Sequence, residues 1–274
     1  MRKSMSAIGA VALMGTIGVA PAYATEMTDT AALSVLHGVP DTPVDVYVNG
    51  ELTLDDFAPG ELAGPLELPA GDHELAITAA DAADASEPVI GPVPVTLEAG
   101  GNYTATANLD AEGAPTANLF ANDTSTIDAG QAKLTVRHVA AAPAVDVLAG
   151  GSPVIEGLTN PNEESLTLDA GTISAAVAAA GTTDPVLGPT ELQLAEGTST
   201  IVYAWGSLDD GNLALATQTI EGLHSTPGSV PGGQSGLAAA DNDGALLAGS
   251  AAALVLAGAI AVTWRRTAAV KAGK

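Results

Sequence analysis

Two stretches of this sequence decide the fold: residues 33–50 read LSVLHGVPDTPVDVYVNG, and residues 134–151 read LTVRHVAAAPAVDVLAGG. They align without a gap and share alternating apolar residues, a histidine, an aspartate and a glycine. The shared positions are Leu33/Leu134, Val35/Val136, His37/His138, Val44/Val145, Asp45/Asp146, Val46/Val147 and Gly50/Gly151. Because successive side chains of a strand point to opposite faces, apolar residues at every second position indicate half-buried β-strands. The sequence therefore predicts a duplicated β unit.

The duplication continues downstream through short turn and strand motifs. LPAGD at 68–72 matches LDAGT at 168–172, and VIGP at 89–92 matches VLGP at 186–189. Asn49-Gly50 is the favoured pair for a tight hairpin. Short strands separated by turns, in units of about 90–100 residues, are typical of β-sandwiches. We predict an all-β ectodomain of two tandem immunoglobulin-like antiparallel β-sandwich domains, residues 32–128 and 132–222.

These motifs carry a resemblance to a known family. The pattern L-x-V-x-H…V-D-V-x-x-x-G, the L-x-A-G turn, the [VI]-[IL]-G-P segment, NYT at 102–104 and TIVYAWGSL at 200–208 resemble the bacterial domain of unknown function 4397. The resemblance covers most of residues 32–222, in two copies. It implies an exported, mostly β domain on a bacterial surface, and it supplies no catalytic residues.

Charge is distributed unevenly along the 274 residues, which carry 32 acidic and 8 basic side chains and no cysteine. All the acidic residues lie between Glu26 and Asp243, where Lys133 and Arg137 are the only basic ones. So acidic a chain repels nucleic acid and anionic membrane surfaces, so we expect no nucleic-acid partner. The absence of cysteine excludes disulfides and thiolate metal sites. The Ala- and Gly-rich composition is typical of a GC-rich bacterial genome, and together with the family resemblance it leads us to expect an actinobacterial source.

Residues 1–24 have the parts of a secretory signal peptide. Arg2 and Lys3 form a basic start, an apolar run follows to about residue 20, and Ala22-Tyr23-Ala24 supplies the small-x-small cleavage pattern. We expect cleavage after Ala24. Export of the acidic ectodomain follows from this prediction.

Residues 244–264 predict one transmembrane helix. They contain no charged residue, and at about 1.5 Å per residue they are long enough to cross a bilayer core of about 30 Å. Trp264, Arg265 and Arg266 mark the cytoplasmic end. We therefore expect a single-pass cell-membrane protein with an extracellular ectodomain, a flexible stalk over residues 223–243 and a cytoplasmic basic tail over residues 265–274. The chain lacks L-P-x-T-G, so the helix rather than the cell wall is expected to retain it.

Catalytic motifs are missing from the sequence. It has no G-x-S-x-G, no H-E-x-x-H and no P-loop. His37…Asp45 recurs as His138…Asp146, which suits either a metal or proton site, or buried histidines held by a carboxylate or a backbone carbonyl. The strand pattern favours the structural alternative, because His37 shares a face with apolar neighbours.

Calcium binding is the other open possibility for so acidic a chain. Asp55-Asp56, or Asp81, Asp84 and Glu87, could chelate loosely, and residues 241–244 resemble the start of an EF-hand loop that lacks its closing Glu. No ligand spacing is diagnostic, so we favour a solvated acidic surface. We predict no catalytic, cofactor-binding or metal-binding residues.

The function expected from these features is that of a membrane-anchored surface protein. It would be a non-enzymatic binding or structural module of the bacterial envelope, held in the membrane by its C-terminal helix. Its other partner would be an unidentified protein or glycan, or a neighbouring copy. The alternatives are an extracytoplasmic enzyme and a calcium-dependent adhesion module using loop carboxylates.

Overall fold

Residues 29–225 are described by the structure, a computed structural model, and they contain strands but no helix. The strands are β1 (Thr30–Gly38), β2 (Val44–Val48), β3 (Glu51–Phe57), β4 (Leu62–Pro69), β5 (Gly71–Ala79), β6 (Ile90–Leu97), β7 (Asn102–Leu109), β8 (Pro115–Ala121), β9 (Gln131–Ala141), β10 (Val145–Ala149), β11 (Ser152–Leu158), β12 (Glu163–Asp169), β13 (Gly171–Ala179), β14 (Pro185–Leu194), β15 (Ser199–Ser207) and β16 (Ala214–Ile220). The predicted signal peptide, transmembrane helix and basic tail lie outside these residues.

Each repeat contributes two four-stranded sheets. The first repeat has the orders β4-β1-β7-β8 and β3-β2-β5-β6, and the second has β12-β9-β15-β16 and β11-β10-β13-β14. The strand order is therefore the same in both repeats. The all-β fold and its sandwich-like pairs of sheets, predicted from the repeat pattern, are confirmed.

The prediction of purely antiparallel sheets is wrong at one pair in each repeat. β1 pairs with β7 in parallel, and β9 pairs with β15 in parallel. Chain direction reverses at each connection, so strands an even number of connections apart run the same way, as β1 and β7 do. The orders also differ from the immunoglobulin constant-type arrangement, in which seven strands form sheets ABED and CFG.

Apolar side chains from the facing sheets form one core inside each sandwich. Leu33 and Val35 on β1 meet Val46 on β2 in the first core. Leu134 and Val136 occupy the matching places in the second. Burying each such side chain stabilises the fold by about 1.5–3 kcal/mol. The shared alternating residues of the two repeats are thus the core residues.

The transmembrane prediction falls on a part of the chain that the structure does not describe. Residues 29–225 provide no helix with the length and apolar character needed to span a bilayer. The predicted span, residues 244–264, lies beyond them.

The first residues of the predicted stalk, 223–225, are held by backbone hydrogen bonds. They contact the linker between β8 and β9 and the turn between β14 and β15; for example, Ile127 N donates to Leu223 O at 2.7 Å.

Candidate functional site

The inner sheets of the two sandwiches, β4-β1-β7-β8 and β12-β9-β15-β16, pack against each other. Both faces of their central strands are therefore buried: β1 buries Ser34 and Leu36 opposite its core side, and β9 buries Thr135 and Arg137 opposite its own. Gln218 on β16 donates from Nε2 to Ser34 Oγ at 3.1 Å, a contact between the repeats. We call this contact between the two inner sheets the inter-repeat interface.

Arg137 lies at the centre of the interface and is only 1% exposed. Its guanidinium donates to Glu163 Oε2 at 2.6 Å, to Tyr203 Oη at 2.8 Å and to Asn122 Oδ1 at 2.9 Å. It also lies over the Phe120 ring, 4.4 Å from the centroid. Glu163 and Tyr203 belong to the second repeat, whereas Phe120 lies on β8 of the first and Asn122 directly follows that strand. One buried cation therefore draws its partners from both repeats.

The polar network extends from Arg137 to the far side of the interface. Tyr203 donates from its hydroxyl to Gln218 Oε1 at 2.5 Å, and Thr104 of the first repeat donates to the same oxygen at 2.9 Å. Burial raises the pKa of the Tyr203 hydroxyl, which keeps it a neutral donor. Asn122 donates to Asn102 Oδ1 at 2.6 Å. These chained hydrogen bonds satisfy polar groups that would otherwise be costly to bury.

Apolar contacts close the interface around this network. Leu36 and Phe120 from the first repeat pack with Val139, Ile201 and Tyr203 from the second. A second contact joins Trp205 to the turn between β3 and β4. A Cβ built on Gly60 would lie 2.7 Å from Trp205 Cζ2, and Gly60 has a φ of 80°, so glycine is required on both counts.

Lys133, the only other lysine or arginine within residues 29–225, pairs with Asp123 near the edge of the interface. It also donates to Ser125 Oγ at 3.1 Å. The hydrogen bond from Lys133 lowers the pKa of the Asp123 carboxyl to about 2. The Asp123 side chain is 56% exposed, so solvent screens this pair and its contribution to stability is small.

The two repeats differ at the interface while matching in their cores. By register, Arg137 and Tyr203 of the second repeat occupy the places of Leu36 and Thr106 in the first. The interface of the first repeat therefore has a neutral leucine where that of the second has a charged arginine, and a small threonine where the second has a large tyrosine. Two identical faces carrying arginine would bury two cations with too few partners, which is costly. The interface was not predicted from the sequence, although the replacement of Leu36 by Arg137 between matched neighbours was a signal of it.

The histidines of the repeated His…Asp pairs are structural. His37 and His138 are fully buried, and each ring donates from Nε2 to a backbone carbonyl, Thr42 O at 2.8 Å and Pro143 O at 3.0 Å. Each thereby fixes the loop that leads to the next strand. Burial lowers the pKa of both imidazoles, so they remain neutral. The structural alternative, with a backbone carbonyl as partner, is the one observed.

The aspartates of those pairs also make structural hydrogen bonds. Asp45 Oδ1 accepts from Asp56 N at 2.9 Å, and Asp146 Oδ1 accepts from Gly157 N at 2.8 Å. In the first repeat, carboxylate oxygens of Asp45, Asp55 and Asp56 lie within 4.8 Å of one another. Gly157 replaces Asp56 in the second repeat, so the three-carboxylate group is peculiar to the first. Asp81, Asp84 and Glu87 form no such group within residues 29–225, and residues 241–244 lie outside them.

A comparison with known protein families matches the first repeat. Residues 31–148 match the family model described as "Domain of unknown function (DUF4397)". The matched segment contains the first sandwich except for Thr30 at the start of β1, together with β9 and most of β10. It supports the family to which the repeated motifs pointed. No curated protein matches the chain.

Replacing Arg137 tests the energetic role of the interface. Arg137→Met removes three hydrogen bonds and leaves buried polar partners, so we expect a loss of about 2–4 kcal/mol in the free energy of unfolding. Lys133→Met is the matched control and should cost at most about 1 kcal/mol, since its partner is exposed. Urea unfolding of residues 25–240 measures both. Equal losses would contradict a central role for Arg137.

The buried histidines predict a pH dependence. Because the pKa of His37 and His138 is lower in the folded state than the usual 6.5 or so, the unfolded chain binds more protons below that pH. Stability should therefore fall as pH drops below about 6.5, by at most about 1.4 kcal/mol per pH unit for each histidine. The double variant His37→Gln/His138→Gln should flatten the slope, whereas His224→Gln, at an exposed site, should preserve it. An unchanged slope in the double variant would contradict the assignment.

The three-carboxylate group can be tested by exchanging residues between the repeats. Asp56 has a φ of 51°, and Gly157 has a φ of 67°. Asp56→Gly should raise stability by about 0.5–1 kcal/mol by relieving backbone strain and charge repulsion, and Gly157→Asp should lower it similarly. We expect equal melting temperatures in calcium and in EDTA. A calcium-dependent rise that Asp56→Gly abolishes would instead identify a metal site.

Proposed function

We propose that this chain is a single-pass membrane protein of the bacterial cell surface, acting as a non-enzymatic binding or structural module. Its predicted signal peptide, residues 1–24, supports export. The uncharged residues 244–264 followed by Arg265 and Arg266 support anchoring with the C-terminus in the cytoplasm. The resemblance to an exported bacterial family supports the same location.

The observation that carries a structural role is how the ectodomain uses its buried polar groups. Arg137, Tyr203 and Gln218 bind one another and the first repeat across the inter-repeat interface. His37 and Asp45 hold loops and strands in place. These groups serve packing, and the result is two sandwiches joined as one compact unit. Such a unit can present loops and edges at a distance from the membrane.

The surface charge restricts the partners of this module. Acidic residues greatly outnumber Lys133 and Arg137 in the ectodomain, and both of those cations are buried. A partner must therefore be neutral or basic, or must approach an uncharged part of the surface. A protein or glycan of the envelope meets this condition, whereas a nucleic acid does not.

Removing the predicted span tests the anchoring proposal. A stop codon in place of residue 244 should release the ectodomain into the medium, as measured by immunoblotting of cell and medium fractions. Replacing residues 244–264 with an unrelated apolar helix of alanine and leucine should restore retention. If the truncated chain stays with the cells, another attachment holds it and the proposal is wrong.

A further inference from the structure

Sheet edges are the parts of this molecule most open to association, because an edge strand carries unpaired backbone N–H and C=O groups. Natural proteins protect such edges with proline, charge or bulges. Seven of the eight outer strands in residues 29–225 carry proline or acidic residues. Proline is found in β4, β6, β8, β11 and β14, and acidic residues protect β3 and β12.

The eighth outer strand, β16, has none of these devices. Its sequence, ALATQTI over Ala214–Ile220, contains no proline and no charged residue. It pairs with β15 over its whole length without a register shift. Within the described part of the chain, no strand pairs with its outer side. Thr217 and Thr219 are exposed along it. It is therefore an open, regular edge in a chain that protects the others.

We propose that β16 pairs antiparallel with β16 of a second copy of this chain, about a two-fold axis at Thr217. The pairing would join the two β12-β9-β15-β16 sheets into one continuous sheet of eight strands. Identical strands related by a two-fold axis present the same surface to each other, as in most homodimers. The backbone groups of both edges then gain hydrogen-bond partners.

The side chains of β16 are compatible with this register. Thr217 lies opposite Thr217 of the second copy, and Thr–Thr is a favourable cross-strand pair. Ala216 faces Gln218 of the second copy, and Leu215 faces its Thr219, so no charges meet. Glu221, the first acidic residue after the strand, falls opposite Leu213, which is uncharged.

Charge favours a second copy at β16 over β12, the opposite edge of the same sheet. Two such acidic molecules repel each other, and close approach is least costly where acidic side chains are missing. β16 is such a place, whereas β12 at the other edge of the same sheet carries Glu163, Glu164 and Asp169. The pairing does not depend on the membrane anchor, so its test leaves the anchoring proposal untouched.

Sedimentation velocity of residues 25–240 tests the pairing, since this fragment contains both complete sandwiches. We expect dimers at about 100 µM, a concentration at which a pair with a Kd of about 10 µM is mostly associated. Thr217→Lys places like charges opposite each other and should weaken the dimer by at least about tenfold. Thr167→Lys is the matched control, because Thr167 is an exposed threonine on β12. It should leave the dimer intact.

Single cysteines give a second, independent readout, because the chain contains no cysteine of its own. Thr217→Cys should form a covalent dimer with a short bismaleimide, whereas Thr167→Cys should remain monomeric. A monomeric wild-type fragment or equal cross-linking at both positions would overturn the proposal. So would dimerisation of residues 25–225 but not of residues 25–240, which would show that the chain's own segment after residue 225 covers β16.

Discussion

A single buried guanidinium determines how this molecule is put together. Arg137 is removed from water, and the cost of desolvating its charge is offset only if its nitrogens find acceptors, as each of the three does here. Glu163 and Tyr203 come from its own repeat, but Asn122 and the Phe120 ring do not. The second sandwich therefore needs the first beside it. Without that neighbour, its inner sheet would expose Tyr203 and Ile201 to solvent, and Arg137 would lose Asn122, one of its three acceptors, together with the Phe120 ring.

This requirement explains why the repeats are alike inside and unlike where they meet. Core positions such as Leu33 and Leu134 carry the same residue because both sandwiches pack equivalent strands around their cores. At the inter-repeat interface, by contrast, the surface of one repeat has to be complementary to that of the other. Leu36 faces a surface built around Arg137, and the glycine at position 60 leaves room for Trp205. Duplicated folds can thus have distinct faces with unchanged topology.

Much of the fold could be predicted from the sequence because alternation is a direct consequence of strand geometry. It placed His37 on the core face with Leu33 and Val35, and it placed a hairpin at Asn49-Gly50. Alternation distinguishes the two faces of a strand, but it does not show whether the face opposite the core contacts solvent or another sheet. Arg137 and its polar neighbour Thr135 therefore have the pattern of a solvated face. The parallel pairing of β1 with β7 joins strands far apart in the chain, and no local pattern encodes it. The hydrogen bond that Asp45 accepts and the one that His37 donates depend on loop geometry in the same way.

Coupling of the two sandwiches through Arg137 and its partners is the central claim, and cooperativity of unfolding tests it most directly. Differential scanning calorimetry of residues 25–240 should give one transition whose calorimetric enthalpy equals its van 't Hoff enthalpy, because neither sandwich keeps its interface once the other unfolds. Two transitions, or a calorimetric enthalpy about twice the van 't Hoff value, would show that the repeats unfold independently and would contradict the account.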